Sequence, residues 1–430
     1  MSTDISNIKQ FCDKAAFFCA ISFMIFIPFS TALMNIFIFL TLIFVLFTGN
    51  LKNNLIMAWR NPVSKVALIL FFLLILSFNW TIDSSEAFDV LKKYNELWYI
   101  ALILPLFNSD RRRNIGIQAY LISMGIVLVG VYLMYFEIIM PIEWTLKGRE
   151  HHFNVDGGFA SHIITNILMA FAMFIAAHKS VLSRSFFKVP YIIYFVFSAY
   201  YVLFISTGTS GQILAIILIL LFIIQHTGVR ATLIIPPIFA LIIIGTYPGV
   251  LEKLGLPYVK NLTYSSENNG LRFAVDKIVV RYHHLISTDT AGNNTRPRQY
   301  FYALKLIRDE PWIGTGVGSY SEALRSKEPE FYAATRVGKN NPHNEFLMIS
   351  VQLGAIGLFV LLYLFYTQAA SSDRIREKEY KYIAQGLVVL IIIGCMGNSM
   401  LLDSKEGHFW AFFSALLFSN LDEDLLEAKS

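Results

Sequence analysis

"NNPHNEFLMISVQLGAIGLF", residues 340–359, joins a polar lip to an apolar run that continues through "VLLYLFYT" to residue 367. Read as a helix, 344–367 is longer than the roughly 20 residues that cross a bilayer and carries a single charged side chain, Glu345. That reading decides the fold, because a chain with such a segment is built for lipid. It also raises a question of chemistry, since His343 and Asn344 stand at the mouth of the span. Asn341 suits an N-cap and Pro342 the first helical position. His343 and Asn344 then fall in the first turn, where the positive end of the helix dipole disfavours an imidazolium. A neutral imidazole there can serve as a general base. An interfacial histidine that only solvates a helix end would have the same local sequence.

The rest of the chain agrees with a membrane setting. Of 430 residues, 55% are hydrophobic and 15% charged, with 37 Phe and 21 Tyr, against about 25% charged in ordinary soluble domains. Twelve candidate spans appear, near 15–29, 31–48, 64–79, 96–108, 116–140, 158–177, 189–206, 211–225, 231–249, 344–367, 381–397 and 407–420. The expected fold is an all-α polytopic membrane protein of about 12 transmembrane helices with one large periplasmic helical loop. The first apolar run follows Lys14 and reads as a retained signal-anchor. The net charge of +5 is scattered through short loops, so nucleic acid is not an expected partner. Cys12, Cys19 and Cys395 lie in or beside apolar runs and suggest neither a disulfide framework nor a metal site.

Basic residues orient the chain. Connections on the N-terminal side hold Lys52, Arg60, Lys65, Arg111, Arg112, Arg113, Lys179, Arg184, Lys188, Arg230, Arg374, Arg376, Lys378 and Lys381, whereas the alternate short connections hold Lys92, Lys93, Lys147, Arg149 and Lys405. The positive-inside rule then puts both termini in the cytoplasm. Three regions follow: helices 1–9 over 1–249, a large outer loop over 250–342, and helices 10–12 with the C-terminus over 343–430. The loop is too long for a mere connection. In it, "RQYFYALKLIRDEPW" could form a helix with Tyr302, Leu304, Leu306 and Ile307 on its apolar face, making a small helical cap on the membrane.

Arg296 and Arg298 stand two positions apart just before that helix. Guanidinium groups bind phosphate oxygens through paired, charge-assisted hydrogen bonds; a basic loop resting on anionic headgroups has the same composition. "GTGVGSY", 314–320, lacks the strand and the Lys-Ser/Thr of a nucleotide loop and reads as a tight turn after Pro311. "STGTSGQ", 206–212, is hydroxyl-rich and places Ser210 where a sugar could bind, or is a plain polar turn. His151–His152 and His283–His284 are adjacent, a poor spacing for metal. In "GNSMLLDSKEGHFW", Asp403 stands with Glu406 and His408 and could orient a base or an arginine, or be ordinary loop polarity.

In order along the chain come Arg298 with Tyr302 four residues later, then "DEPWIGTGVGSY", then "PHNEFLMISVQLGAIGL". Together they resemble the O-antigen ligase family of bacterial inner-membrane glycosyltransferases, part of a superfamily that includes O-antigen polymerases; "NSMLLDSKEGHFW" looks like the ligase branch. The resemblance implies an undecaprenyl-diphosphate-linked glycan as donor and the lipid A–core oligosaccharide as acceptor, with no cofactor. It makes His343 the base on the acceptor hydroxyl and Arg298 the group that holds the donor diphosphate, with Tyr302 and Asn344 beside them. Many members carry an Arg near Ser210, where this chain reads "TGTSGQILA"; Arg296, Arg272 or Arg281 would stand in for it. The chain is expected to act as a monomer among membrane lipids, as a metal-independent inverting enzyme. A lipid-linked sugar transporter is the reading of another class. Transporters place ionisable residues or interrupted helices at mid-bilayer and show repeats, whereas the unusual polar residues here gather at the lip.

Overall fold

The computed structural model describes residues 2–146, 149–183, 186, 188–228, 296–334 and 340–421. The expected ninth span, Arg272, Arg281, His283–His284 and the greater part of the 250–342 loop lie outside the described residues. Sixteen helices are described: α1 (Ser2–Phe26), α2 (Thr31–Phe47), α3 (Leu51–Arg60), α4 (Pro62–Leu76), α5 (Ser84–Lys93), α6 (Glu96–Ile103), α7 (Asp110–Tyr135), α8 (His162–Leu182), α9 (Lys188–Tyr200), α10 (Thr209–Thr227), α11 (Arg296–Asp309), α12 (Tyr320–Lys327), α13 (Pro329–Ala334), α14 (Glu345–Ser372), α15 (Lys378–Gly397) and α16 (Ser404–Leu417). One antiparallel hairpin, β1 (Ile142–Leu146) with β2 (Arg149–Phe153), departs from the all-helical expectation. Its strands are too short for their alternation to stand out in the sequence.

Among the described residues, seven helices are long and apolar enough to cross a membrane, or eight if α2 and α3, bent at 114°, count as one broken span. They coincide with seven of the twelve expected spans. The other expected spans that fall on described residues are helices of different build. The charged residues Lys9, Asp13 and Lys14 fall within α1, and Arg112 bonds to Asp13, so α1 begins well before its apolar part. α6 is 8 residues long and α16 is 14, yet α16 is buried along nearly its whole length.

Caps set the helix starts. Asn61 accepts from Ser64 N–H ahead of Pro62, and its amide nitrogen donates to the Phe418 carbonyl at 2.7 Å. Ser109 and Ser161 cap α7 and α8 in the same way. At one end of the bundle ion pairs clasp neighbouring helices, as Lys179 does with Glu379 at 2.5 Å. The helices cross closely where side chains are small: a Cβ on Gly211 of α10 would lie 2.2 Å from Asn166 Cβ of α8. Membrane helices pack through such contacts because lipid supplies no hydrophobic drive between them.

The segment that opened the sequence reading is interrupted. Gly354 has φ 62° and ψ −155°, which breaks α14, and residues 311–316 run alongside the break. Thr315 and Gly316 N–H donate to the carbonyls of Val351 and Gln352 at 2.8 and 2.9 Å, and Ala355 N–H donates to Pro311 O at 2.8 Å. Backbone groups freed by a broken span need partners, because lipid supplies none. The glycines of "GTGVG" permit the approach: a Cβ on Gly314 would lie 2.5 Å from the Gln352 carbonyl carbon. The stretch is thus more than the tight turn expected of it. It also ties to the end of α4, since Val317 N–H donates to Ser77 Oγ at 3.0 Å and Thr81 Oγ1 to Val317 O at 2.6 Å.

Candidate active site

At one end of the bundle lies an open cavity of about 560 Å³. Four regions meet there: Thr31 at the start of α2, Ser161 before α8, His343 before α14, and residues from Asn398 after α15 to Glu406 in the first turn of α16. All four belong to the outer set in the alternating layout of the sequence, and the first turn of α11 joins them through Arg296 and Gln299.

His343 is not in the first turn of its helix. The N-cap is Asn344, whose side-chain oxygen accepts from Leu347 N–H at 3.0 Å, and α14 starts at Glu345. Asn341, expected as the cap, instead accepts from His343 N–H at 2.7 Å and from Ser399 Oγ at 2.6 Å. His343 therefore sits between two asparagines at φ 52°, a left-handed backbone uncommon outside glycine. Tyr300 of α11 donates to the Met396 carbonyl at 3.0 Å, and the Asn344 amide donates to the same carbonyl at 3.0 Å.

A relay fixes the imidazole. Asn398 donates through Nδ2 to Asp403 Oδ2 at 2.7 Å, which turns its amide oxygen toward His343 Nδ1 at 3.4 Å. An acceptor facing Nδ1 favours the tautomer with the proton there and leaves the lone pair on Nε2. Burial pushes the Asp403 carboxyl above its usual range, opposed by the Asn398 hydrogen bond and by the charges at His343 and Lys93.

Below the lip, Glu345 is fully buried. Tyr94 Oη donates to its Oε1 at 2.8 Å, and Leu401 and Leu402 N–H donate to Oε2 at 2.9 and 3.3 Å. The 399–402 turn is thereby locked to the start of α14. Glu406, on the cavity wall, is 1% exposed, and its Oε2 lacks a hydrogen-bond partner among the described residues. Lys405 donates to the Pro28 carbonyl at 3.3 Å, linking the first connection to the last.

The arginines are placed by helical phase. They lie inside α11 rather than before it, so residues two apart face nearly opposite ways. Arg296 lines the cavity, and its Nη1 lies 3.7 Å from where a Gly397 Cβ would be. Arg298 is exposed on another face, its guanidinium 5.8 Å from the centre of the Phe331 ring. Tyr302, one turn on, stacks on the same ring at 4.0 Å. The apolar face of α11 buries Ala303 and Leu306 with Tyr302 and Ile307 packed beside them, whereas Leu304, also expected on that face, is 55% exposed. Ser210 stands in the first turn of α10 and is not among the residues that line the cavity. The turn before it is held by Asp156, which accepts from Thr207 N–H at 2.5 Å. Sequence reasoning missed Asn398, Gln299 and Glu345; Asn398 stands inside the "GNSMLLDSKEGHFW" segment, and its signal was that segment's density of polar groups.

These features define a helical membrane protein whose polar chemistry gathers at one end of the bundle, around a histidine with an oriented imidazole. Residues 193–362 match the family model described as O-antigen ligase. The matched segment is similar to that family and includes most of α9, all of α10 and α11, and the break in α14. The family supports an enzyme of O-antigen ligase or polymerase type. No curated protein matches the chain.

Proposed function

We propose that this protein is an O-antigen ligase of the bacterial inner membrane. It would move a glycan from undecaprenyl diphosphate to a sugar hydroxyl of the lipid A–core, with the cavity on the periplasmic face and both termini in the cytoplasm. The observation that carries the reading is the convergence of the His343 imidazole, the Asn398–Asp403 relay and the Arg296 guanidinium on one cavity.

In this scheme Nε2 of His343 takes the proton of the acceptor hydroxyl as its oxygen attacks the anomeric carbon. The bond from that carbon to the diphosphate oxygen breaks, and undecaprenyl diphosphate leaves with the electron pair. Single displacement inverts the anomeric centre. The transition state is oxocarbenium-like, so negative charge grows on the departing phosphate, where a fixed cation stabilises it most. On position Arg296 meets that charge; Arg298, the residue named by the resemblance, lies on another face of α11 against the Phe331 ring. The glycosyl diphosphate bond supplies the driving force, so the reaction calls for neither ATP nor a metal.

The test is transfer by purified protein from lipid-linked glycan to lipid A–core in nanodiscs, without ATP or divalent ions. His343→Asn, which tolerates the left-handed backbone, is expected to lower the rate by about 10²–10⁴-fold, the usual contribution of a general base. Retention of the rate within about tenfold would remove His343 from that role. Growth of glycan on the lipid carrier instead of the core would make the enzyme an O-antigen polymerase.

A further inference from the structure

The end of the bundle away from the His343 cavity carries a helix that the transfer chemistry leaves unused. Thr31 at the start of α2 lines that cavity, so α2 runs away from it and the chain turns at the far end. Gly49 makes the turn with φ 72°, a backbone that glycine adopts without steric cost. Thr48 Oγ1 braces it, donating to the Val45 carbonyl at 2.8 Å and accepting from Asn50 N–H at 3.3 Å. α3 leaves the turn bent by 114° from α2, so it lies across the bundle instead of continuing the span. It is amphipathic in an unusual sense. Ala58 is buried, whereas Leu51, Leu55 and Trp59, one turn apart along a single stripe, are 38%, 60% and 56% exposed.

That stripe is a ridge between two hollows. On its inner side a hollow of about 480 Å³ is closed by Val45 and Leu46 of α2, Leu68 of α4 and Trp98 of α6. On its outer side a second, of about 500 Å³, runs from Lys52 to Arg60 with Leu55, Ile56 and Trp59 between them. The two cations are eight positions apart, about 12 Å of helix. Lys65 Nζ stands 6.0 Å from the centre of the Trp59 ring, and Lys9 reaches the turn, its Nζ 2.9 Å from where a Gly49 Cβ would lie. None of these four side chains makes a hydrogen bond or ion pair among the described residues. No Asp or Glu stands between Asp13 and Asp83 in the sequence, and Asp13 is taken by Arg112.

We infer that α3 is an in-plane helix that holds an anionic phospholipid of the leaflet on that side, with the headgroup phosphate between Lys52 and Arg60 and an acyl chain in the hollow behind Leu55 and Trp59. Interfacial helices bind through buried apolar area together with attraction to anionic lipids, and α3 offers both on one short segment. Three features select this occupant. A free phosphate would leave the apolar hollow empty. A zwitterionic lipid would bring its own cation against four that have no acid to meet. Trp59 stands between the charges and the hollow, the place an indole takes at the headgroup level. In the proposed orientation this leaflet is the cytoplasmic one, which carries the negative surface potential. The site is at the opposite end from the transfer chemistry and does not depend on it.

The experiment uses the full chain in phosphatidylcholine nanodiscs into which phosphatidylglycerol with brominated acyl chains is titrated, bromine being a short-range quencher of indole fluorescence. The difference between the parent and Trp59→Phe isolates the Trp59 signal. That signal is expected to fall at a far smaller share of brominated phosphatidylglycerol than of brominated phosphatidylcholine. Lys52→Gln with Arg60→Gln, measured in the same way, should shrink the preference about fivefold for each charge removed from the membrane surface. Arg374→Gln with Lys378→Gln, in the α14–α15 connection at the same end of the bundle, should leave it unchanged. Equal quenching by the two brominated lipids, a preference that survives Lys52→Gln with Arg60→Gln, or one that falls as far in the control pair would overturn the assignment. The readout needs no glycan, so the lipid site and the transferase reading stand or fall separately.

Discussion

Replacing Gly354 by alanine tests the central packing claim. The backbone there, φ 62° and ψ −155°, lies in a region open essentially to glycine, and a side chain forced into it costs about 1–3 kcal/mol. An alanine Cβ would lie 2.3 Å from the Trp312 carbonyl carbon. That neighbour is backbone and cannot swing aside as a side-chain tip would. Relieving the clash separates 311–316 from 351–356 and puts four hydrogen bonds at risk: Thr315 to Val351, Gly316 to Gln352, Ala355 to Pro311 and Ile356 to Trp312. At about 0.5–1.5 kcal/mol each, with the strain added, the loss is about 3–9 kcal/mol, a large part of an ordinary domain's stability. The assay is thermal unfolding of purified protein in detergent, with Gly125→Ala as the companion. A Cβ at Gly125 meets only the Tyr194 ring, at 3.4 Å, and alanine in a helix interior gains up to about 1 kcal/mol. Gly354→Ala should fail to accumulate or melt far below the parent. A melting point within about 4 °C of the parent, the shift expected from roughly 1 kcal/mol, would refute the account of the broken helix.

Tyr94→Phe removes a donor from Glu345 and leaves its buried Oε1 unmet; a stability loss of about 1–3 kcal/mol should appear as a lower melting temperature. Because burial raises the Asp403 carboxyl, the folded chain holds a proton there that the unfolded chain releases near pH 3.9. Stability should therefore fall as pH rises from about that value through the raised one, and melting curves of Asp403→Asn should lose that part of the slope. Asp403→Ala frees the Asn398 amide to rotate, and transfer should drop about ten- to hundredfold, the worth of a hydrogen bond to a charged group, without loss of helical circular dichroism. Arg296→Ala should slow single-turnover transfer more than Arg298→Ala, and the reverse order would return the diphosphate to Arg298.

Most of the bundle is legible in the chain because a membrane filters composition so strongly. Seven spans follow from apolar runs alone, and Asn61-Pro62 and Ser161 mark their helix starts without tertiary help. The lip of α14 was three residues off because Asn341 and Asn344 are both good caps. Only the neighbouring Ser399 and the His343 amide decide which one is occupied elsewhere. Arg296 and Arg298 looked like a pair because residues two apart share a side in extended chain, and they diverge once the helix is known to begin at Arg296. The break at Gly354 is invisible locally, since a glycine in an apolar run also suits an unbroken helix. It becomes intelligible only when "GTGVG" is laid against it. Glu345 gives no sign in the sequence that it lies beneath His343, because its partners come from positions near 94 and 401.

The left-handed seat of His343 sorts the amino acids that can stand there. Asparagine, aspartate and glycine keep that backbone at small cost, whereas valine and isoleucine do not. A saturation library at this codon selected only for abundance in the membrane should return histidine in the company of those three. The same library selected for glycan transfer should return histidine alone, and the gap between the two lists would measure chemistry with architecture subtracted.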